Sequence, residues 1–298
     1  MGTDPQSVPD ASENAAANTE TAVTGATGRL GGAVARLLSE AGVPVRLIVR
    51  DPARAPQLPG TTAAQAGYGD RQTAGAALQG IRTLFMVSAD EAPDRLEQHF
   101  EFIDAAADAG VEHIVYTSFC GAGPDAVFTL ARDHFATEEK LQASGLKYTL
   151  LRNNLYQDVL TDFAGPERII RGPAGNGRAG FVAREDVARV AAKILAEPFA
   201  HAGFTYELTG PESLTMAEAA AIITEATGRP VSFLNETVEE AYASRARYQA
   251  PDWQVEAWVS TYTAIACGEL DKVTNDVELL TGHRPLSLRE LLDQRRGR

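Results

Sequence analysis

Hydrophobic and polar positions along this chain alternate in two rhythms. Short apolar runs, of the kind buried on both faces of a parallel sheet, are separated by longer stretches with apolar residues three and four apart. The first run covers residues 21–23, and a helical pattern on Leu30, Ala33, Val34, Leu37 and Leu38 follows it. Residues 43–49, a short segment closed by Tyr68-Gly69-Asp70, and residues 81–87, 113–117 and 148–151 read as further strands. Between them, residues 95–109 carry Leu96, Phe100, Ile103 and Ala107 on one face, and residues 127–144 form a helix that Gly145 stops. This βαβ alternation predicts an α/β fold: a Rossmann-type, doubly wound parallel sheet that binds ligands beyond the carboxyl ends of its strands.

After Arg152 the rhythm breaks. Residues 164–180 are rich in Gly and Pro and read as a loop over the site. Residues 184–195 (helix) and 204–208 (strand) are expected to return to the sheet, and residues 231–234 to form a short strand. Thr215 and Glu218 form a capping box ahead of a helix over 215–227. The predicted organisation is therefore a dinucleotide-binding core of residues 20–151, rejoined by 184–210. A smaller, mixed and mostly helical substrate lobe would use 152–183 and 211–298. Residues 1–19 are polar and acidic and read as a disordered tail.

The chemistry starts at TAVTGATGRLGG, residues 21–32. A strand, a turn with Gly25, Gly28 and Gly31, and a helix start make a phosphate cradle of backbone N–H groups at the positive end of a helix dipole. Thr27 can add a hydroxyl contact, and Arg29 and Leu30 open the helix. The G-x-x-G-x-x-G spacing differs from the common dinucleotide fingerprint. After the second strand, Arg50 and then Arg54 offer guanidinium groups to a 2′-phosphate, whereas Asp51, followed by Pro52, is expected to point into the turn. The coenzyme read from these residues is NADP(H). Asp70 is placed either to accept from the adenine amino group or to cap a turn. Val87 and Ser88 end the fourth strand beside the expected ribose and phosphates. Thr117, Ser118 and Phe119 end the fifth beneath the nicotinamide. Ser118 lacks the G-x-S-x-G elbow of a hydrolase nucleophile.

Composition narrows the partners. A formal net charge of −13 and a sequence pI near 4.9 disfavour nucleic acid, which is bound through Lys and Arg. Cys120 and Cys267 are far apart and are expected to be buried thiols without a disulfide. The five histidines are scattered, without metal-ligand spacing. No apolar window approaches a membrane span, and the N-terminus has no apolar signal region, so the expected compartment is the cytoplasm.

With IVRDPAR, AGYGD, HIVYTS, ATEEKLQASGLKYTLLRNNLY and FVAREDVARVAAKIL in view, the chain resembles the NmrA-like atypical short-chain dehydrogenases. Within them it is most similar to NADPH-dependent quinone reductases and triphenylmethane dye reductases. The resemblance runs from Thr21 to the C-terminal helices, and it makes a homodimer plausible. In related reductases a Tyr-x-x-x-Lys pair supplies a proton and holds the nicotinamide ribose. Here no such pair exists; Leu130 takes the Tyr position and His134 the Lys position. His134, Tyr156 and Ser118 are the catalytic candidates: His134 either bonds the nicotinamide ribose and relays a proton or is a satisfied core histidine, and Glu138, one turn on, either orients it or is a helix-surface charge. The resemblance places Asn153 and Asn154 near nicotinamide and substrate, and a small planar aromatic substrate in the site. Trp253, Trp258 and Tyr262 share a helical face and read as core packing ahead of a substrate wall. The implied activity is hydride transfer to a quinone-like or other conjugated acceptor. A coenzyme sensor without turnover and a biosynthetic carbonyl reductase are the alternatives.

Overall fold

The computed structural model describes residues 20–296, so the expected tail at 1–19 lies outside the described residues. The strands in chain order are β1 (Thr21–Thr24), β2 (Val45–Val49), β3 (Thr61–Gln65), β4 (Thr83–Met86), β5 (His113–Phe119), β6 (Lys147–Asn153), β7 (Ile169–Gly172), β8 (Arg178–Ala179), β9 (Thr205–Leu208), β10 (Leu214–Thr215) and β11 (Ser232–Asn235). Seven of them form one parallel sheet in the order β3-β2-β1-β4-β5-β6-β9. The order reverses between β1 and β4, which opens a crevice at their carboxyl ends.

The helices are α1 (Arg29–Glu40), α2 (Arg71–Ala77), α3 (Arg95–Asp108), α4 (Thr129–Ala143), α5 (Leu160–Phe163), α6 (Arg184–Ala196), α7 (Met216–Thr227), α8 (Val238–Arg245), α9 (Asp252–Ala266), α10 (Asp276–Thr281) and α11 (Leu288–Arg296). Strand residues of period two feed opposite faces of the sheet. Val23, Phe85, Val115 and Leu151 pack with α1 and α6, whereas Ala22, Leu84, Ile114 and Leu150 pack with α2 and α3. A third cluster joins Phe119 and Phe128 to α7, α9 and α11.

Several expectations need correction. The third strand is Thr61–Gln65, and Tyr68-Gly69-Asp70 is the turn after it, leading into α2. Residues 164–180 are not a loop over the site. They contain β7, paired with β11, and β8, paired with β10. Cys120 is buried as expected, but Cys267 is exposed at the end of α9. Among the described residues, no helix is long and apolar enough to cross a membrane.

Candidate coenzyme and active site

A cavity of about 810 Å³ lies along the crevice, within the usual range for a cofactor pocket. Its walls include Gly25, Thr27, Gly28, Arg29, Leu30, Arg50, Val87, Ser88, Thr117 and Tyr156. Gly25 has φ +63°, a left-handed conformation that glycine adopts without cost. A Cβ on Gly31 would lie 2.5 Å from the Gly25 and Thr24 backbone, so only glycine lets α1 start this close to β1. Gly28 is the N-cap of α1 and provides no side-chain cap, and the first turn carries no acidic residue. The N–H groups there are left for an anion. The cradle thus fits a dinucleotide pyrophosphate.

Side chains behind the crevice fix its edges. Thr24 Oγ1 accepts from the Val87 N–H at 2.9 Å and donates to the Phe85 carbonyl at 3.2 Å. The Tyr68 hydroxyl adds a bond to the Val87 carbonyl and lies 2.7 Å from Thr24 Oγ1. Thr117 Oγ1 accepts from the Ser88 N–H at 2.7 Å. Two residues of α3 clamp both polar groups of Ala89: Arg95 Nε donates to its carbonyl at 3.0 Å, and its N–H donates to His99 Nε2 at 2.9 Å. Sequence reasoning missed Thr24, Tyr68, Arg95, His99 and Arg184. Only Tyr68, inside the G-Y-G-D turn, carried a local signal.

The adenine end is open. Arg50 is exposed and reaches Asp90 at 3.5 Å, a loose surface pair that a phosphate can displace. Asp51 is exposed and points into the turn, accepting from the Ala53 N–H at 3.0 Å. Arg54 lies in the 3-10 turn Pro52–Arg54 and does not line the cavity. Asp70 takes its capping alternative. It accepts from the Thr73 N–H at 3.1 Å as N-cap of α2, and that bond holds its carboxyl below the ordinary range.

The catalytic candidates separate. His134 is buried and does not line the cavity. Its Nε2 lies 3.1 Å from Arg95 Nη2; a guanidinium only donates, so Nε2 is the bare acceptor and Nδ1–H donates to the Tyr116 hydroxyl at 2.9 Å. Burial, with Arg95 adding, holds the His134 imidazolium far below its usual range. Both ring nitrogens are spent inside the protein, on Arg95 and Tyr116. Glu138 does not orient it. Glu138 instead accepts from Ser118 at 2.5 Å and, in a fork, from Arg152 at 2.9 and 2.5 Å. Ser118 is thereby turned to a buried carboxylate and does not line the cavity. Asn154 is also structural, donating to the Leu270 carbonyl at 3.1 Å and accepting from the Leu155 N–H at 2.7 Å. Asn153 and Tyr156 remain beside the cavity: Asn153 Nδ2 donates to the Tyr156 hydroxyl at 3.2 Å, and Asn153 Oδ1 is buried without a partner. The Tyr156 ring carries the Arg184 guanidinium at 4.8 Å.

Trp258 and Tyr262 line a separate cavity of about 450 Å³ beside α5, α8 and α9, which shares no lining residue with the first. Its three arginines are paired, Arg171 and Arg247 with Glu167 and Arg245 with Glu236, and none of its buried side-chain polar atoms lacks a partner. Trp253 is half-buried on α9 and lines neither cavity. Among the described residues, no group of three His, Cys, Asp or Glu is placed to hold a metal.

The buried histidines give a stability prediction. Burial pushes His99 down to about 3 and His134 well below its ordinary value, so both rings stay neutral when folded. Unfolded, they take up a proton below about pH 6.5. Stability is full above that pH and falls as pH drops toward the folded values, by up to about 1.4 kcal/mol per pH unit for each ring. Urea denaturation should give a midpoint that falls between about pH 6.5 and 5.5, and His99→Gln should flatten that fall. A midpoint indifferent to pH in this window would show that the rings are protonated in the folded chain.

Comparison with known proteins agrees with this geometry. The family model described as NAD(P)H-binding matches residues 25–198. The chain is 35% identical to quinone oxidoreductase 2 of Escherichia coli K12 over 90% of this chain and 96% of that protein. It is 32% identical to the NAD(P)H azoreductase of Xenophilus azovorans, over 87% of this chain and 92% of that one. The crystal structure of the E. coli quinone oxidoreductase complexed with NADPH matches with a TM-score of 0.84 at 34% identity, covering 92% of this chain and 99% of that one. Triphenylmethane reductase of Citrobacter sp., complexed with NADP(H), matches with a TM-score of 0.81 at 31% identity over 92% and 99%. With the glycine cradle, the crevice and these matches together, the chain belongs to the NAD(P)H-binding family of NmrA-like atypical short-chain reductases and is an NAD(P)H-dependent oxidoreductase.

Proposed function

We propose that this oxidoreductase uses NADPH to reduce quinone-like or other conjugated planar acceptors. The observation that carries the reading is the lack, among the described residues at the catalytic end, of a poised proton donor. Leu130 and His134 stand where Tyr and Lys stand in related reductases; His134 is sealed between Arg95 and Tyr116, and Ser118 is tied to Glu138. Burial pushes the Tyr156 phenol up to about 12, away from a useful acid.

Acceptor chemistry follows from that lack. Hydride addition to an isolated ketone makes an alkoxide, which needs its proton in the transition state. A quinone becomes a phenolate-like oxygen, whose conjugate acid has a pKa of about 10, like tyrosine. That oxygen can wait for water. The reduced coenzyme, when bound, supplies the hydride. The chain's part is to hold the acceptor against the coenzyme, beside Tyr156, Thr117 and Arg184. The quinone, azo and dye reductases among the relatives support the same acceptor class.

Arg50 at the cavity rim supports NADPH over NADH. Losing a charged hydrogen bond costs about 1.5–3 kcal/mol. Arg50→Ala is therefore expected to weaken NADPH binding by roughly 10- to 100-fold and to leave NADH binding nearly unchanged, read by nicotinamide fluorescence titration. Equal losses for the two coenzymes would remove Arg50 from the 2′-phosphate.

The function itself is tested by mixing the protein with NADPH and quinones, triphenylmethane dyes and simple ketones, following nicotinamide absorbance. Turnover of the conjugated acceptors is expected, with Tyr156→Phe retaining it within a few-fold. NADPH binding without consumption of any acceptor would identify a coenzyme sensor instead. Activity on ketones alone would require an acid that this site does not offer.

A further inference from the structure

Arg184 lines the coenzyme cavity, and Nη1 of its guanidinium has no hydrogen-bond partner among the described residues. Its position is costly in two ways. Arg184 opens α6, where the positive end of the helix dipole disfavours a cation. Its nearest carboxylate is already used: Asp158 Oδ1 accepts from Arg295 at 2.5 Å and Oδ2 from the Arg184 main-chain N–H at 2.9 Å, which leaves the guanidinium at 3.8 Å. The two other carboxylates of that first turn, Glu185 and Asp186, face Arg189. Stacking on Tyr156 holds the guanidinium in place. A fixed, half-buried and only loosely paired cation in the wall of a ligand cavity is a receptor for negative charge.

We infer that Arg184 binds the acceptor's oxygen and stabilises the negative charge that grows on it, so that the site favours acceptors that become oxyanions over cationic ones. This rests on the reductase reading above. A quinone takes up a hydride, one hydrogen with two electrons, while the coenzyme is oxidised. The C–H bond of the reduced coenzyme breaks, the hydrogen attaches to one quinone oxygen, and the π electrons displaced through the ring settle on the other oxygen, which faces the Arg184 guanidinium. The hydroquinone monoanion then takes one proton from water. A triphenylmethane cation loses its charge in the same uptake and forms no oxyanion, so Arg184 opposes its binding and gives nothing back.

The test uses the full chain loaded with coenzyme, as wild type, Arg184→Met and Arg184→Lys. The first readout needs no turnover. 4-Nitrophenol, whose anion is coloured, is titrated against pH in the presence of the protein and NADP+. Wild type should bind the anion and lower the phenol's apparent pKa; Arg184→Met should lose the shift, and Arg184→Lys should keep part of it. The second readout is kcat/KM. Arg184→Met should lose about 100-fold or more on 1,4-naphthoquinone, as oxyanion-stabilising donors do, yet hold or gain on malachite green. NADPH affinity should stay unchanged. An intact nitrophenol shift in Arg184→Met, equal losses on both acceptors, or a matching loss of NADPH affinity would each overturn the assignment. If wild type reduces neither acceptor, the reductase reading fails while the nitrophenol titration still reads Arg184.

Discussion

Gly28→Asp is expected to abolish coenzyme binding without unfolding the protein. Gly28 sits at the N-cap of α1 with φ −91° and ψ 177°, an extended conformation open to any residue. A Cβ there would meet only the Gly25 carbonyl oxygen, at 3.2 Å, so a small local adjustment suffices. Aspartate is among the best N-cap residues, and its carboxylate would accept from the unpaired N–H groups of the first turn. Relative to glycine, itself a fair N-cap, the new cap adds a few tenths of a kcal/mol, which offsets part of the adjustment. That same carboxylate would occupy the phosphate position with a charge of the wrong sign. The Tm should therefore stay close to that of wild type while NADPH affinity falls by at least about 100-fold, or roughly 3 kcal/mol. A fall in Tm with normal NADPH affinity in the folded fraction would mean that the pyrophosphate rests elsewhere. Gly31→Ala is the contrasting variant: its Cβ meets backbone at 2.5 Å, so binding and stability should fall together.

This contrast shows what the sequence makes legible. The cradle is a local pattern, since strand, turn and helix start are neighbours in the chain, and the apolar rhythm that frames them sets the sheet. Burial on both faces makes the inner strands β1, β4 and β5 plain apolar runs. The edge strand β3 is TTAAQ and only partly covered, so its apolar signal is weak. The short helix RQTAGAA after it has almost no apolar periodicity, and Asp70 as its cap was the one usable cue. In residues 164–180, the glycines and prolines outweighed the four-residue strand IIRG, which pairs with β11 some sixty residues on. The site misses are of another kind. His134 looks like a relay until Arg95 and Tyr116, both distant in sequence, take its two nitrogens. Arg184 carries no local signal at all, because its place depends on Arg295, over a hundred residues on, taking Asp158 Oδ1. Spacing along a helix says which way a side chain faces; it does not say which partner reaches it first.

Glu138→Ala is expected to give the largest loss of stability of any single change near the site. The Glu138 side chain is almost fully buried on α4 and ties together Ser118 of β5 and Arg152 of β6, which are register partners across the parallel pair. Removing it leaves a guanidinium and a hydroxyl facing a void where the carboxylate stood. Breaking a buried pair from one side costs about 3–5 kcal/mol. The Arg152 side chain is 23% exposed, so water takes up part of its charge and the lower end, about 3 kcal/mol, is the better expectation. For a chain of this size that is a fall in Tm of about 5 °C. Ser118→Ala removes a single bond to the carboxylate and should cost about 2 kcal/mol while keeping turnover within a few-fold, because its hydroxyl is structural. Replacing Glu138 and Arg152 together by leucine and methionine should recover much of the loss, since no buried charge is then left alone. If Glu138→Ala melts like wild type, the fork to Arg152 does not form in solution and Ser118 is again available to the site. If Ser118→Ala instead stops turnover at unchanged Tm, the serine belongs to the chemistry and the separation of structural from reacting groups at the end of β5 is wrong.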